Sequence, residues 1–141
     1  MTRAPGYTLD IVMPDAPTSN SARNRTWMHK RGERKRIEKE IWAYARQQGP
    51  LPREPLEHAL VLVTRLSSLP LDGDNLFHGM KTVLDSLQAV GIIKNDNHLC
   101  IGMPTPRWQM KKGRAATRIQ VVACGYGDLD TTAWNYEEYI E

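Results

Sequence analysis

No stretch of this 141-residue chain stays apolar for the roughly 18 residues that a membrane span needs, so no membrane partner is expected. The opening residues MTRAPGYTLD lack the apolar core of a secretory signal, which predicts no export and a cytoplasmic location. Cysteine is scarce. Cys100 and Cys124 stand without a CxxC or a Cys/His spacing, so they read as free thiols in a reducing compartment, and no zinc site is expected. Internal repeats and interdomain linkers are also missing, which predicts a single domain over residues 1–141. The hydrophobic and charged fractions, 40% and 25%, are those of an ordinary globular protein with enough apolar side chains for a real core.

Charge is present, but unevenly. From Ser21 to Arg46 nine Lys/Arg face three Glu, a local balance of +6, and Arg107 to Arg118 carries five Lys/Arg and no acid. The last fourteen residues reverse the sign, with five acids and no base, in a C-terminal tail (126–141) that shows no period. Two basic segments in one small domain are the pattern of a phosphate-backbone binder, although a basic run is as often a solvated helix face.

Hydrophobic periodicity predicts alternating strands and helices. Leu9, Ile11 and Met13 alternate with polar neighbours in a half-buried strand that ends at Pro14. DAPTSNSARNR, residues 15–25, reads as a loop. Ile37, Ile41, Tyr44 and Ala45 make one stripe of a helix over about 33–48. HALVLVTRL, residues 58–66, is a nearly continuous apolar run suited to a central strand. A second helix spans about 75–90 and closes at Gly91. Residues 99–103 and 116–123 read as two further strands, joined by a loop with Pro104, Pro106 and the Lys111-Lys112-Gly113-Arg114 run. The fold class is therefore α+β, a mixed β-sheet with two main helices.

The second helix carries the chemistry. Leu76, Met80, Val83, Leu84, Leu87 and Val90 gather on one side at about 100° per residue, while Asp74, His78, Lys81 and Asp85 line the opposite side. Asp72 and Asp74 precede that helix. One of them as N-cap stabilises a helix by about 1 kcal/mol, and Lys81 with Asp85 is an ordinary i, i+4 pair. A cap needs one acid, however, and two at one helix start repel each other unless a cation lies between them. A hard divalent cation such as magnesium takes carboxylate oxygens. Cap and metal site both fit the residues. An EF-hand does not, because its fifth and sixth positions would be Leu76 and Phe77. Nor does an aspartyl nucleophile at a strand end, because SSLPL separates Asp72 from the apolar run.

Residues 71–96, LDGDNLFHGMKTVLDSLQAVGIIKND, resemble the central motif of the RusA-like Holliday-junction resolvases, small phage and bacterial endonucleases. That pattern is Asp-x-Asp-Asn-Leu, a Lys further along the helix, Asp-x-Leu, then a Gly and a short acidic turn. Asp72, Asp74, Asn75, Leu76, Lys81, Asp85, Leu87, Gly91 and Asp96 match it in order. PTSNSARNRTWMHKR resembles the family's Pro-Ser-x-Asn loop and basic helix, and RWQMKKG its later basic strand and loop, so the likeness spans roughly residues 8–123. Two departures stand out. Lys81 follows Asp74 by seven residues where a shorter form of the pattern has four, the place His78 holds here. The acidic turn reads Lys94-Asn95-Asp96-Asn97, with one Asp where two are frequent.

The resemblance implies a magnesium-dependent endonuclease that resolves four-way DNA junctions in recombination and repair, inside a bacterial or phage-infected cell. Asp72, Asp74 and Asp96 would be catalytic and hold the metal, which supplies a hydroxide nucleophile. Lys81 would offset charge on the scissile phosphate, with His78 as the competing residue. Nicks would leave 5′-phosphate and 3′-hydroxyl ends. The two-fold symmetry of a four-way junction suits a homodimer. Asn20, Lys30, Arg31, Arg34, Lys35, Lys111 and Lys112 are the expected DNA contacts. Asp85 either assists at the metal or pairs with Lys81. His29, His58 and His98 lack ligand spacing, and Trp27, Trp42 and Trp108 serve as base-stacking surfaces or core anchors. Two rivals share these residues: a DNA-binding protein of the same fold that does not cut, and a small basic nucleic-acid-binding structural or regulatory protein in which the Asp pair is only a cap.

Overall fold

The computed structural model describes residues 6–14, 27–70 and 73–129, and gives backbone alone at 27–31, 33 and 74. Strand β1, Thr8–Pro14, has the burial expected of its alternation, with Leu9, Ile11 and Met13 inside. Helix α1, Trp27–Gln48, buries Ile37, Ile41 and Ala45 and rests Tyr44 on the core. It starts about six residues earlier than the predicted helix does. Lys, Arg, Met and Glu are good helix formers, so the helix extends through a segment with no apolar face and tolerates Gly32 at roughly 1 kcal/mol.

Strand β2, Ala59–Ser67, is followed by helix α2, Gly73–Val90. In α2 the residues Met80, Val83, Leu84 and Leu87 are buried and Val90 packs against the core, as their spacing predicts. Gly91 ends the helix at φ 92°, in the left-handed region that side-chain-bearing residues rarely adopt. Its N–H donates to Gln88 O at 3.1 Å and that of Ile92 to Leu87 O at 3.0 Å, so two carbonyls of the last turn are satisfied.

Residues 99–103 are not a strand. A one-turn helix, α3, His98–Ile101, occupies them, because the Asn97 side chain accepts the Cys100 N–H and caps it. Gly102, at φ 67°, then turns the chain away. The third strand lies further on: β3, Arg107–Met110, falls within the segment between Pro104 and the basic run that periodicity reads as loop. Strand β4, Ala116–Ala123, matches its predicted span.

The sheet order is β1-β4-β2-β3, with β4 antiparallel to both neighbours and β3 parallel to β2 at the edge. The α+β class with a mixed sheet and two main helices is thus as expected. α1 packs on β1 and α2, while α2 and α3 reach β2. One hydrophobic cluster joins the three helices to β1, β2 and β4, with Ile37, Ile41, Val83, Leu87, Ile119 and Val121 at its centre. Neither cysteine is in a disulfide; Cys100 is buried and Cys124 half-buried. Among the described residues no helix is long and apolar enough to cross a membrane. The acidic tail from Asp130 lies outside the described residues; before it, Tyr126–Asp128 form a single 3-10 turn.

Across the outer face of β1 and β4, Arg118 donates to both carboxylate oxygens of Asp10, Nε at 2.9 Å and Nη2 at 2.6 Å. The hydrogen bonds from Arg118 hold the Asp10 carboxyl below its usual range, with burial opposing. Because the folded pKa lies below the unfolded one, the stabilisation is present above about pH 4 and is lost as pH falls through the lowered value. Asp10→Asn is therefore expected to lower Tm by a few degrees at most near neutrality, since the pair is exposed. The gap from wild type should close in acid. Thermal melts from about pH 2 to pH 7 check this, and a gap that stays constant across the series contradicts it.

Candidate functional site

The exposed side of α2 follows from its buried side. With Met80, Val83, Leu84 and Leu87 turned to the core, His78 and Lys81 project into solvent and Asp85 is half-buried. Asp74 starts the same face. It precedes Lys81 by seven residues, about two turns or ~10.5 Å along the axis.

Asp96 is brought to this face by the backbone after α2. Ile92 and Ile93 are fully buried, and Leu56 clamps them: its N–H donates to Ile92 O and its carbonyl accepts from Lys94 N, both at 2.9 Å. Asn97 anchors the other side by capping α3. Between these anchors the Asp96 N–H donates to Asn95 Oδ1 at 2.8 Å, and the Asp96 carboxylate reaches back to Lys81.

Lys81 thereby joins two acids. Its ammonium donates to Asp96 Oδ2 and lies 3.4 Å from Asp85 Oδ1. The hydrogen bond to Asp96 raises the Lys81 pKa, with burial opposing and Asp85 adding to the rise. The same bond lowers that of Asp96, again against burial. At neutral pH the pair is fully ionised, so Lys81 is a fixed positive charge rather than a proton donor or acceptor.

Asp85 and Asp96 offer carboxylate oxygens, the donor type a hard cation takes, and here both meet the Lys81 ammonium. Among the described residues no group of three or more possible ligands is assembled. Of the expected metal ligands, Asp72 lies outside the described residues and Asp74 is described by its backbone alone. What the structure brings together is Lys81, Asp85 and Asp96; it leaves His78 exposed on the same helix face.

The expected DNA contacts divide in the same way. Asn20 lies outside the described residues, and Lys30 and Arg31 are placed on the first turns of α1 by backbone. Arg34 and Lys35 are exposed, Arg34 with Nε 3.6 Å from Glu38. Lys112 is exposed on the β3–β4 loop, whereas Lys111 is half-buried and donates to Arg114 O at 2.7 Å. Replacing Lys30, Arg31, Arg34 and Lys35 together by Ala is expected to flatten the dependence of log DNA affinity on log salt, by up to about 0.9 for each phosphate no longer neutralised. Filter binding over a salt series measures it, and an unchanged slope means that α1 does not touch DNA.

Of the remaining candidates, His58 and Trp108 make contacts within the fold. His58 Nδ1 pairs with Leu99 O at 2.8 Å, and its ring meets Tyr126 edge-on. Trp108 donates to Ser67 Oγ at 2.9 Å, and Trp42 is exposed with the Arg46 guanidinium 6.0 Å from its ring centre. His29 and Trp27 have no described side chains. One cation outside every motif is Arg65, on β2. Its signal in the sequence is a charged residue on the inward-facing alternation of an apolar strand.

No protein-family model matches this chain, and comparison with curated proteins gives no match.

Proposed function

We propose that this chain is a magnesium-dependent, structure-selective DNA endonuclease that resolves four-way junctions by paired nicks and acts as a homodimer. The observation that carries the reading is the meeting of Lys81 with Asp96 across fifteen residues of sequence. The RusA-like motif makes one of these the phosphate-facing cation and the other a metal-binding carboxylate. Asp72, Asp74 and Asp96 would hold the cation, with Asp85 beside them. Bound there, magnesium supplies Lewis acidity toward water and neutralises the scissile phosphate.

The protein's own groups do the rest. Lys81, always charged, offsets charge on the phosphate as it develops in the transition state. Asp85, one turn on, keeps the ammonium turned toward Asp96 when DNA is absent. The basic first turns of α1 and Lys112 hold flanking backbone by charge alone, which favours no base sequence. A two-fold dimer places two such sites on opposite strands of the junction.

A non-cleaving DNA binder of the same fold is the second reading. It is favoured by the single acid of the 94–97 turn, which is already engaged by Lys81. Thermal melting separates the two. Magnesium should raise Tm for wild type by mass action and leave Asp96→Asn less responsive. No magnesium response in either protein removes the metal, and with it the endonuclease.

A further inference from the structure

The inward face of β2 is apolar until Arg65. Ala59, Val61 and Val63 are buried on that face, and the next position in the alternation is a guanidinium. Strand register places it in a row of one residue from each strand: Met13, Thr117, Arg65 and Trp108. Met13 and Thr117 are buried, and Arg65 is half-buried.

Arg65 Nε is shut from solvent and has no hydrogen-bond partner. Three arginines of the described residues are answered by acids, Arg118 by Asp10, Arg34 by Glu38 and Arg36 by Glu40. Arg65 has no such ion pair among the described residues, and burial alone pulls its pKa down. A guanidinium that is partly stripped of water and given no counter-charge is destabilising unless an anion completes it.

Its surroundings indicate which anion. The neighbouring Trp108 is locked, its indole N–H donating to Ser67 Oγ, which in turn donates to Leu69 O at 2.7 Å. The Lys111 N–H donates to Ser67 O at 2.9 Å, so the basic β3–β4 loop is tied to the end of β2, two residues past Arg65. From that end the chain enters α2, whose exposed face carries Lys81. With Nε closed off, the terminal Nη1 and Nη2 form the planar edge that suits two oxygens of one phosphate beside a basic loop.

We propose that Arg65 is a seat for a backbone phosphate of bound DNA, distinct from the phosphate that faces Lys81. This rests on the proposed DNA-binding function. The seat fixes the register of the strand against α2, and the phosphate that fills it offsets the water stripped from the guanidinium.

The test is Arg65→Met in the full chain, with thermal melting of the free protein and binding of a labelled four-way junction over a salt series without divalent cation. The expected result has three parts: a Tm equal to or above wild type, an affinity loss of about 10-fold or more, and a salt slope reduced by about one. Arg65→Lys should keep the wild-type slope and still lose affinity, because it keeps the charge and not the fork. If the methionine variant folds poorly, Arg65→Gln should give the same loss of slope. Wild-type affinity and slope in the folded variants overturn the seat while DNA binding stands. A wild-type protein that does not bind the junction overturns the DNA reading and the seat together.

Discussion

Asp72→Asn and Asp74→Asn should each abolish nicking of a four-way junction while leaving junction binding intact or tighter. A carboxylate that holds the metal is worth several kcal/mol of transition-state stabilisation, so its loss lowers the rate by about 10²-fold or more. The same substitution removes a negative charge facing phosphates, which acts on binding in the opposite direction. A protein in which these residues only cap α2 behaves differently: it loses about 1 kcal/mol of stability and no activity. Single-turnover nicking and gel-shift affinity, measured on the same preparations, separate the two. Wild-type rates in either mutant remove the metal assignment.

The second large effect is expected at Lys81. Lys81→Ala should lower the single-turnover rate by about 10²-fold or more, the scale of one preorganised charge contact, and His78→Ala should cost much less. Both side chains are exposed on α2, but only Lys81 is joined to Asp96 and Asp85. Asp96 raises the pKa of Lys81, so its charge persists throughout pH 6 to 9 and adds no titration to the rate profile in that window. A His78→Ala variant more damaged than Lys81→Ala transfers the role to His78. Stability should change little in Lys81→Ala, because the ammonium is exposed and its ion pairs are screened.

Most of the fold is legible in the sequence wherever burial follows a clean period. α2 is the clearest element, since its core residues recur at helical spacing and Gly91 supplies the left-handed turn that stops it. β1 and β4 follow from alternation in the same way. Leu99 to Met103 defeats periodicity because a short apolar run suits either a strand or a helix, and a single side chain, Asn97, decides for the helix. β3 is invisible to the same reading because three of its four residues are exposed at the sheet edge, leaving no alternation to find. The early start of α1 is hidden for a related reason, as a Lys/Arg-rich segment has helix propensity but no apolar stripe.

The candidate site is legible in a different sense. Periodicity puts His78, Lys81 and Asp85 on one line of α2, but nothing local predicts that Asp96 returns to Lys81. That contact depends on the pinning of Ile92 and Lys94 to Leu56 and on the Asn97 cap, both products of tertiary structure. In the sequence, only the resemblance to a known motif pairs the two. Arg65 shows the reverse case, a residue visible in the sequence as a breach of an apolar pattern whose meaning depends on what its neighbours fail to supply.

The central claim is cleavage, and one assay tests it directly. A synthetic four-way junction, labelled on each strand in turn, is incubated with the protein and magnesium and resolved on a denaturing gel beside a linear duplex of the same sequence. The account predicts nicks at symmetric positions on two opposing strands, with 5′-phosphate and 3′-hydroxyl ends, dependent on magnesium and absent in Asp74→Asn. An intact junction in the presence of magnesium, with binding retained, contradicts it.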